Sequence, residues 1–155
     1  MKKRIIGFVL MMILVTMFST IAFAGSKNPY KDVTRKKVDS QSITAISYIK
    51  RFDGWKGLIK KGKFYPNKVM TRREFLIVLH NLYGDKVTVT IADLRGANDK
   101  ITSKFVCDRM VALARRLNYP IKWNGTKAKM KRKDVARYIY TFATFNSALK
   151  PLKSK

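Results

Sequence analysis

The chain has 155 residues, with 34 Lys or Arg against 9 Asp or Glu, and a formal charge of +25 at neutral pH. That imbalance points to an anionic partner, while the length allows one domain or two small ones and no more. A single cysteine, Cys107, excludes an intramolecular disulfide.

Residues 1–24 are predicted to be a secretory signal peptide. Lys2, Lys3 and Arg4 precede an apolar run from Ile5 to Phe18, and Ala22-Phe23-Ala24 forms an A-x-A cleavage site before Gly25. Removing 24 of the 155 residues leaves 131, and the loss of three basic residues lowers the charge from +25 to +22. No later stretch approaches the ~20 apolar residues that span a bilayer. The expected product is exported, soluble and free of any transmembrane segment.

The remaining chain reads as helices joined by basic loops. Ser40 or Ser42 is expected to cap a first helix bearing Ile43, Ile46 and Ile49 and ending near Gly54. A Lys- and Gly-rich loop with Trp55 and Phe64-Tyr65-Pro66 follows. A second helix is expected to start at Thr71, whose spacing to Glu74 is that of a capping box, and to carry Phe75, Val78, Leu79 and Leu82 on one face. Val87, Val89 and Ile91 are expected to form an extended lead-in. Another helix is predicted after Ser103, bearing Val106, Met110, Leu113, Ala114 and Leu117 and ending before Pro120. Cys107, among Val106, Met110 and Val111, reads as a small buried side chain.

At an offset of 60, Met70 aligns with Met130, and Arg72, Arg73 and Glu74 align with Arg132, Lys133 and Asp134. The apolar stripe follows the same offset, with Val135, Tyr138, Ile139 and Phe142 answering the residues of the second helix. Upstream, Asp32 of "YKDV" answers Asp93 of "IADL". The chain therefore reads as an all-α protein of tandem helix–loop–helix repeats packed as a small bundle. The units are residues 30–84 and 91–146, the second degenerate, with a frayed basic tail at 147–155. Two such units would leave an edge for self-association or for a similar partner to cover.

Both units begin a helix with cations, where the dipole makes them mildly unfavourable, by roughly 0.3–1 kcal/mol each. The nearest metal motif, "DLRGANDKITSK" at 93–104, puts Arg95 and Lys104 where a calcium loop needs oxygen ligands, and is rejected. His80 has no flanking acid, and the few carboxylates do not converge, so no catalytic centre, metal or cofactor is expected.

"YKDV…AISYI…G…GKFYPNKVMTRREFLIVL", from Tyr30 on, resembles the S-layer homology (SLH) repeat of bacterial surface proteins. The matching residues are Asp32, Ala45, Ile46, Gly54, Gly62, Phe64, Pro66, Thr71, Arg72 and Glu74. The second unit keeps Asp93, Arg132 and Asp134 but has Lys131 in place of threonine. Family members usually carry three repeats around a pseudo-threefold axis, and this chain shows two. The resemblance implies a secreted cell-surface protein that binds an anionic secondary cell-wall polymer non-covalently. It assigns ligand binding to Arg72 and, by position, to Arg132. Arg73, Lys133 and Trp55 are added as neighbouring contacts, and Thr71, Glu74 and Asp134 as helix caps. An anion held between free N–H groups at the helix start and the arginine would account for the misplaced cations. The alternative is a secreted polycation that binds a membrane surface, an acidic partner or, ranked lower, nucleic acid by charge alone, with aromatics such as Trp123 and Tyr138 available for stacking.

Overall fold

A computed structural model describes residues 28–151; the expected signal peptide and residues 152–155 of the tail lie outside them. Five α-helices are present among the described residues: α1 (Ser40–Lys50), α2 (Arg72–Tyr83), α3 (Ile91–Arg95), α4 (Ser103–Arg116) and α5 (Arg132–Phe145). Two short 3-10 turns, Gly84–Lys86 and Ser147–Leu149, complete the regular structure. Among the described residues there are no strands, only isolated backbone bridges, so the described part of the chain is all-α.

The helices form where the apolar period of 3.6 places one stripe inward. Phe75, Val78, Leu79 and Leu82 of α2 are buried, as are Val135, Ile139 and Phe142 of α5 and Val106, Met110, Leu113 and Ala114 of α4. Tyr138 is half-buried, against the expectation that it shares the stripe. Cys107 is fully buried, and burial pushes its thiol up, with Asp108 adding to the shift. Helix α1 lies against α5.

Two helix caps differ from expectation. Asp39, not Ser40 or Ser42, caps α1, its carboxylate accepting from the Ser42 N–H at 2.9 Å and the Ser42 hydroxyl at 2.8 Å. Thr102, not Ser103, caps α4 by accepting from the Phe105 N–H. A capping position wants extended backbone and an oxygen reaching three residues on, and each of these residues is extended. At α2 both halves of the capping box are made between Thr71 and Glu74. At α5 only half is possible, because a lysine side chain has no acceptor. Asp134 accepts from the Lys131 N–H at 3.3 Å, and the Asp134 N–H donates to the Lys131 carbonyl.

The starts of α2, α4 and α5 converge on a closed ring. The Met70 N–H donates to the Met130 carbonyl (3.0 Å), the Met130 N–H to Ile101 (3.1 Å), and the Ile101 N–H back to Met70 (3.0 Å). Six further bonds repeat the relation. Arg72 and Arg73 N–H donate to the carbonyls of Asp99 and Ala97, Ser103 and Lys104 to Ala128 and Thr126, and Arg132 and Lys133 to Lys68 and Pro66. In each case the donors are the second and third residues after a ring residue, and the acceptors the second and fourth before the next. The backbone thus has pseudo-threefold symmetry here. The offset of 60 relates α2 to α5, and a third start at Ile101-Thr102 stands between them. The ring closes within one chain. Large apolar side chains are exposed at Tyr65, Val89, Phe145 and, on α3, Ile91 and Leu94.

"YKDV" and "IADL" share an offset but not a role. The Asp32 carboxylate accepts from the Phe64 and Tyr65 N–H groups (2.8 and 2.7 Å), folding the Phe64-Tyr65-Pro66 loop inward. Asp93 completes a capping box with Thr90 and pairs with Arg109. The tail is also not frayed where it is described. Leu149 is fully buried, and its carbonyl accepts from the Tyr83 hydroxyl at 2.8 Å. Leu149→Ala should therefore cost roughly 2–5 kcal/mol, the range for emptying a buried leucine site. Chemical denaturation will measure it, and a change within error of zero would mean that the tail is not part of the core.

Candidate functional site

The first residue of each converging helix decides what lies between neighbouring starts. These residues are Arg72, Ser103 and Arg132, and the residues two further on are Glu74, Phe105 and Asp134. Following the ring, Arg132 reaches Glu74, Arg72 reaches Phe105, and Ser103 faces Asp134.

Arg132 is 3% exposed. Its Nη1 donates to the carbonyls of Leu58 and Phe64 (3.3 and 2.8 Å), and its Nη2 donates to Glu74 Oε1 at 2.8 Å. Glu74 also accepts from Lys68 Nζ at 2.6 Å and from the Thr71 N–H. Burial pushes the Glu74 carboxyl up, but the Lys68 ammonium, the Thr71 N–H and the Arg132 guanidinium outweigh it and hold it below the ordinary value. Arg132 is thus an interior brace between α5, the Phe64 loop and α2, and its expected ligand-binding role is corrected on burial.

Trp55 is corrected for the same reason. It is 1% exposed, stands edge-on to Phe64 with ring centroids 4.7 Å apart, and donates its Nε1–H to the Ile46 carbonyl. Arg72 is partly open. Its guanidinium lies over the Phe105 ring, 5.1 Å from the centroid, and pairs with the exposed Asp99 at 3.3 Å. Arg73 is exposed and Lys133 half-buried.

The free helix-start N–H groups expected to hold an anion are absent at α2 and α5. At α2 all four are donated: Thr71 to Glu74, Arg72 to Asp99, Arg73 to Ala97 and Glu74 to the Thr71 hydroxyl. At α5 they go to Asp134, Lys68, Pro66 and Lys131. These N–H groups have no helical partner of their own, and the neighbouring segment's carbonyls supply the negative end the dipole requires. That is why a cation is tolerated at these starts.

The third interface is different. Ser103 is too short to reach Asp134 and is held by the opposite loop, its hydroxyl lying within hydrogen-bond distance of both oxygens of Thr126 and accepting from the Thr126 N–H at 2.7 Å. Gly125 permits this approach, since a Cβ there would lie 2.4 Å from the Ser103 backbone. Where the arginine would extend there is a cavity of about 390 Å³, lined by Ser103, Asp134, Arg137, Trp123, Tyr138 and Thr141 among others. Trp123 and Tyr138 stack with centroids 5.3 Å apart and planes 5° from parallel. Cavities of about 400 and 230 Å³ adjoin it, the first sharing Arg137 and Thr141 and the second Trp123 and Thr141. Together they make a groove along α5, reaching Gln41 and Thr44 of α1 at one end and Phe145 at the other.

The sequence points to Trp123 as a possible stacking residue, to Tyr138 as that and as part of the apolar stripe, and to Ser103 only as the start of a helix; it does not single out Arg137. A search at offsets of 31 and 29, which relate Ile101 to Met70 and Met130, would have aligned Ser103 with the two arginines.

No family model, curated protein or solved structure matches the chain.

Arg132→Met should destabilise the fold by about 3 kcal/mol, because it leaves two inward loop carbonyls without their donor and takes from Glu74 its buried cation, with only Lys68 and the Thr71 N–H remaining. Arg72→Met should cost less than about 1 kcal/mol, as befits a solvent-screened pair. Denaturant midpoints at constant slope decide between them, and equal losses would show that Arg132 is no brace.

Glu74 also sets an acid limit. Its folded carboxyl sits below its unfolded value, so its stabilisation is complete above the ordinary glutamate range and is lost as pH falls through the folded value. Glu74→Gln should flatten the acid limb of a stability–pH profile. An unchanged limb would refute this.

Proposed function

We propose that this is an exported cell-surface protein of the SLH type that binds an anionic cell-wall polysaccharide non-covalently, with the groove along α5 as its binding surface. The observation that supports this reading most is the pseudo-threefold closure of three helix starts, two of them carrying arginine in the Met-x-Arg pattern. The SLH resemblance, carried by the ordered matches from Asp32 through Phe64 and Pro66 to Thr71-Arg72-x-Glu74, implies such an axis.

The reading differs from the sequence expectation in where the ligand goes. Arg132 is taken up by the fold, and the helix-start N–H groups of α2 and α5 are spent between neighbours. What remains for a saccharide is an elongated surface with an aromatic plate, Trp123 on Tyr138, and exposed cations such as Arg137 and Lys129 beside it. Sugar rings pack their C–H faces on aromatic plates, while anionic substituents seek guanidinium groups. Among the described residues no helix is long and apolar enough to cross a membrane, so attachment through the wall polymer is the route this reading assigns.

The test is binding to purified wall sacculi with and without their secondary polymer. Arg137→Ala should weaken binding by about 1.5–3 kcal/mol, the scale of a charge-assisted hydrogen bond. Lys36→Ala, an exposed cation away from the groove, is the charge control and should do much less. Equal losses, with binding that vanishes as salt rises, would establish the polycation alternative instead.

A further inference from the structure

Asp134 is placed differently from the other ordered carboxylates around the helix starts. Glu74 meets Lys68 and Arg132, Asp93 meets Arg109, and Asp99 meets Arg72. None of the ion pairs among the described residues involves Asp134, whose one bond is from the Lys131 N–H. It lines the cavity with a half-buried side chain.

The pseudo-threefold relation says what belongs there. At the equivalent point of the next interface, a guanidinium occupies the space and pairs with the carboxylate, Arg132 on Glu74. At the other, a guanidinium lies over an aromatic ring, Arg72 on Phe105. The Ser103 interface keeps both partners, a carboxylate and an aromatic plate, but no cation comes from the helix-start position, and Arg137 and Lys129, which also line the cavity, make no ion pair with Asp134. The cavity's volume of about 390 Å³ is in the range of small-ligand sites. Hydroxyls of Ser103, Thr126 and Thr141 also line it.

We infer that this cavity takes a hexosamine residue with a free amine, its ammonium on Asp134 and its ring face against the Trp123–Tyr138 plate. The inference rests on the wall-polysaccharide reading and narrows it, because the polymer must then carry unacetylated amino sugars among its anionic groups. One residue of that kind supplies a cation, an apolar face and hydroxyls together, which matches the lining. The chain's overall charge of +25 works against any cationic ligand. A preference for the amine would therefore be local in origin.

The probes are chitotriose with one amine free and fully N-acetylated chitotriose, titrated into the whole protein by calorimetry in slightly acidic buffer. The mono-amine form should bind at least tenfold more tightly. Asp134→Asn keeps an oxygen for the Lys131 N–H, so the fold should hold, and it should bring the two probes to equal affinity. Ser103→Arg, which supplies the cation from within the chain, should weaken both probes. Equal affinities in the unmodified protein, or a preference that survives Asp134→Asn, would overturn the inference.

Wall polymer measured before and after N-acetylation separates the two proposals. Acetylation makes the polymer more anionic, so binding by charge alone would rise, whereas the Asp134 site predicts a fall. Binding that is strong and does not fall removes the amine site and leaves the wall-binding reading intact. No binding of either polymer form, with the trisaccharide preference present, removes the wall reading and leaves the site.

Discussion

The closed ring of backbone hydrogen bonds through Met70, Ile101 and Met130 is the constraint on which the rest of the structure depends. A helix start leaves four N–H groups without helical partners, and burying such groups unpaired costs about 1–3 kcal/mol each. Here each start gives two of those groups to carbonyls of the next segment, so no start is satisfied until its neighbour is in place. That reciprocity fixes segments 66–70, 97–101 and 126–130 against the neighbouring helix starts and forbids proline at the six donor positions. It also explains the close approach at Gly125, where the loop lies on the Ser103 backbone.

One position, varied three ways, then distinguishes the interfaces. Arg132 is swallowed by the Phe64 loop, which Asp32 folds inward by taking two of its N–H groups. Arg72 meets a shorter stretch around Gly96 and Asp99, and stays partly open over Phe105. Ser103 meets the loop directly and leaves the space beyond it unfilled by protein. The cavity beside Ser103, the middle part of the groove, therefore stands where the repeated arrangement has a short side chain in place of a long one.

Local signals in the sequence carried well. The apolar stripes of α2, α4 and α5, the Thr71–Glu74 box and the burial of Cys107 depend on residues within one turn or one helix, which periodicity and spacing report. Asp39 was passed over as a cap because three hydroxyl residues follow it closely, and only backbone geometry shows which side chain reaches the Ser42 N–H. The equivalence of the predicted Ser103 helix to the other two starts is hidden because Ile101 and Ser103 stand in place of methionine and arginine, leaving Thr102 alone to mark it. Trp55 and Trp123 occupy similar basic loops, and their opposite fates depend on tertiary packing. Phe64 and the Ile46 carbonyl draw the first inside, and Tyr138 holds the second at the surface. Arg132 looked like Arg72 because charge and spacing say nothing of how deep a neighbouring loop will fold.

The electrostatics follow from the same accounting of partners. Of nine acidic residues, Asp32, Asp39, Glu74, Asp93, Asp99 and Asp108 are tied to amides, hydroxyls or cations of the fold. Asp53 and Asp85 are exposed. Little negative charge is left to answer 34 lysines and arginines, so the surface field is positive in nearly every direction and draws polyanions without regard to their shape. Selectivity requires a place where the surface is shaped and a carboxylate is left without an ion pair. Asp134, beside the Trp123–Tyr138 plate, is such a place. Under the proposed wall-polymer reading the long-range charge and the local carboxylate are complementary, the first gathering a polyanion and the second choosing among polyanions by what they carry besides negative charge.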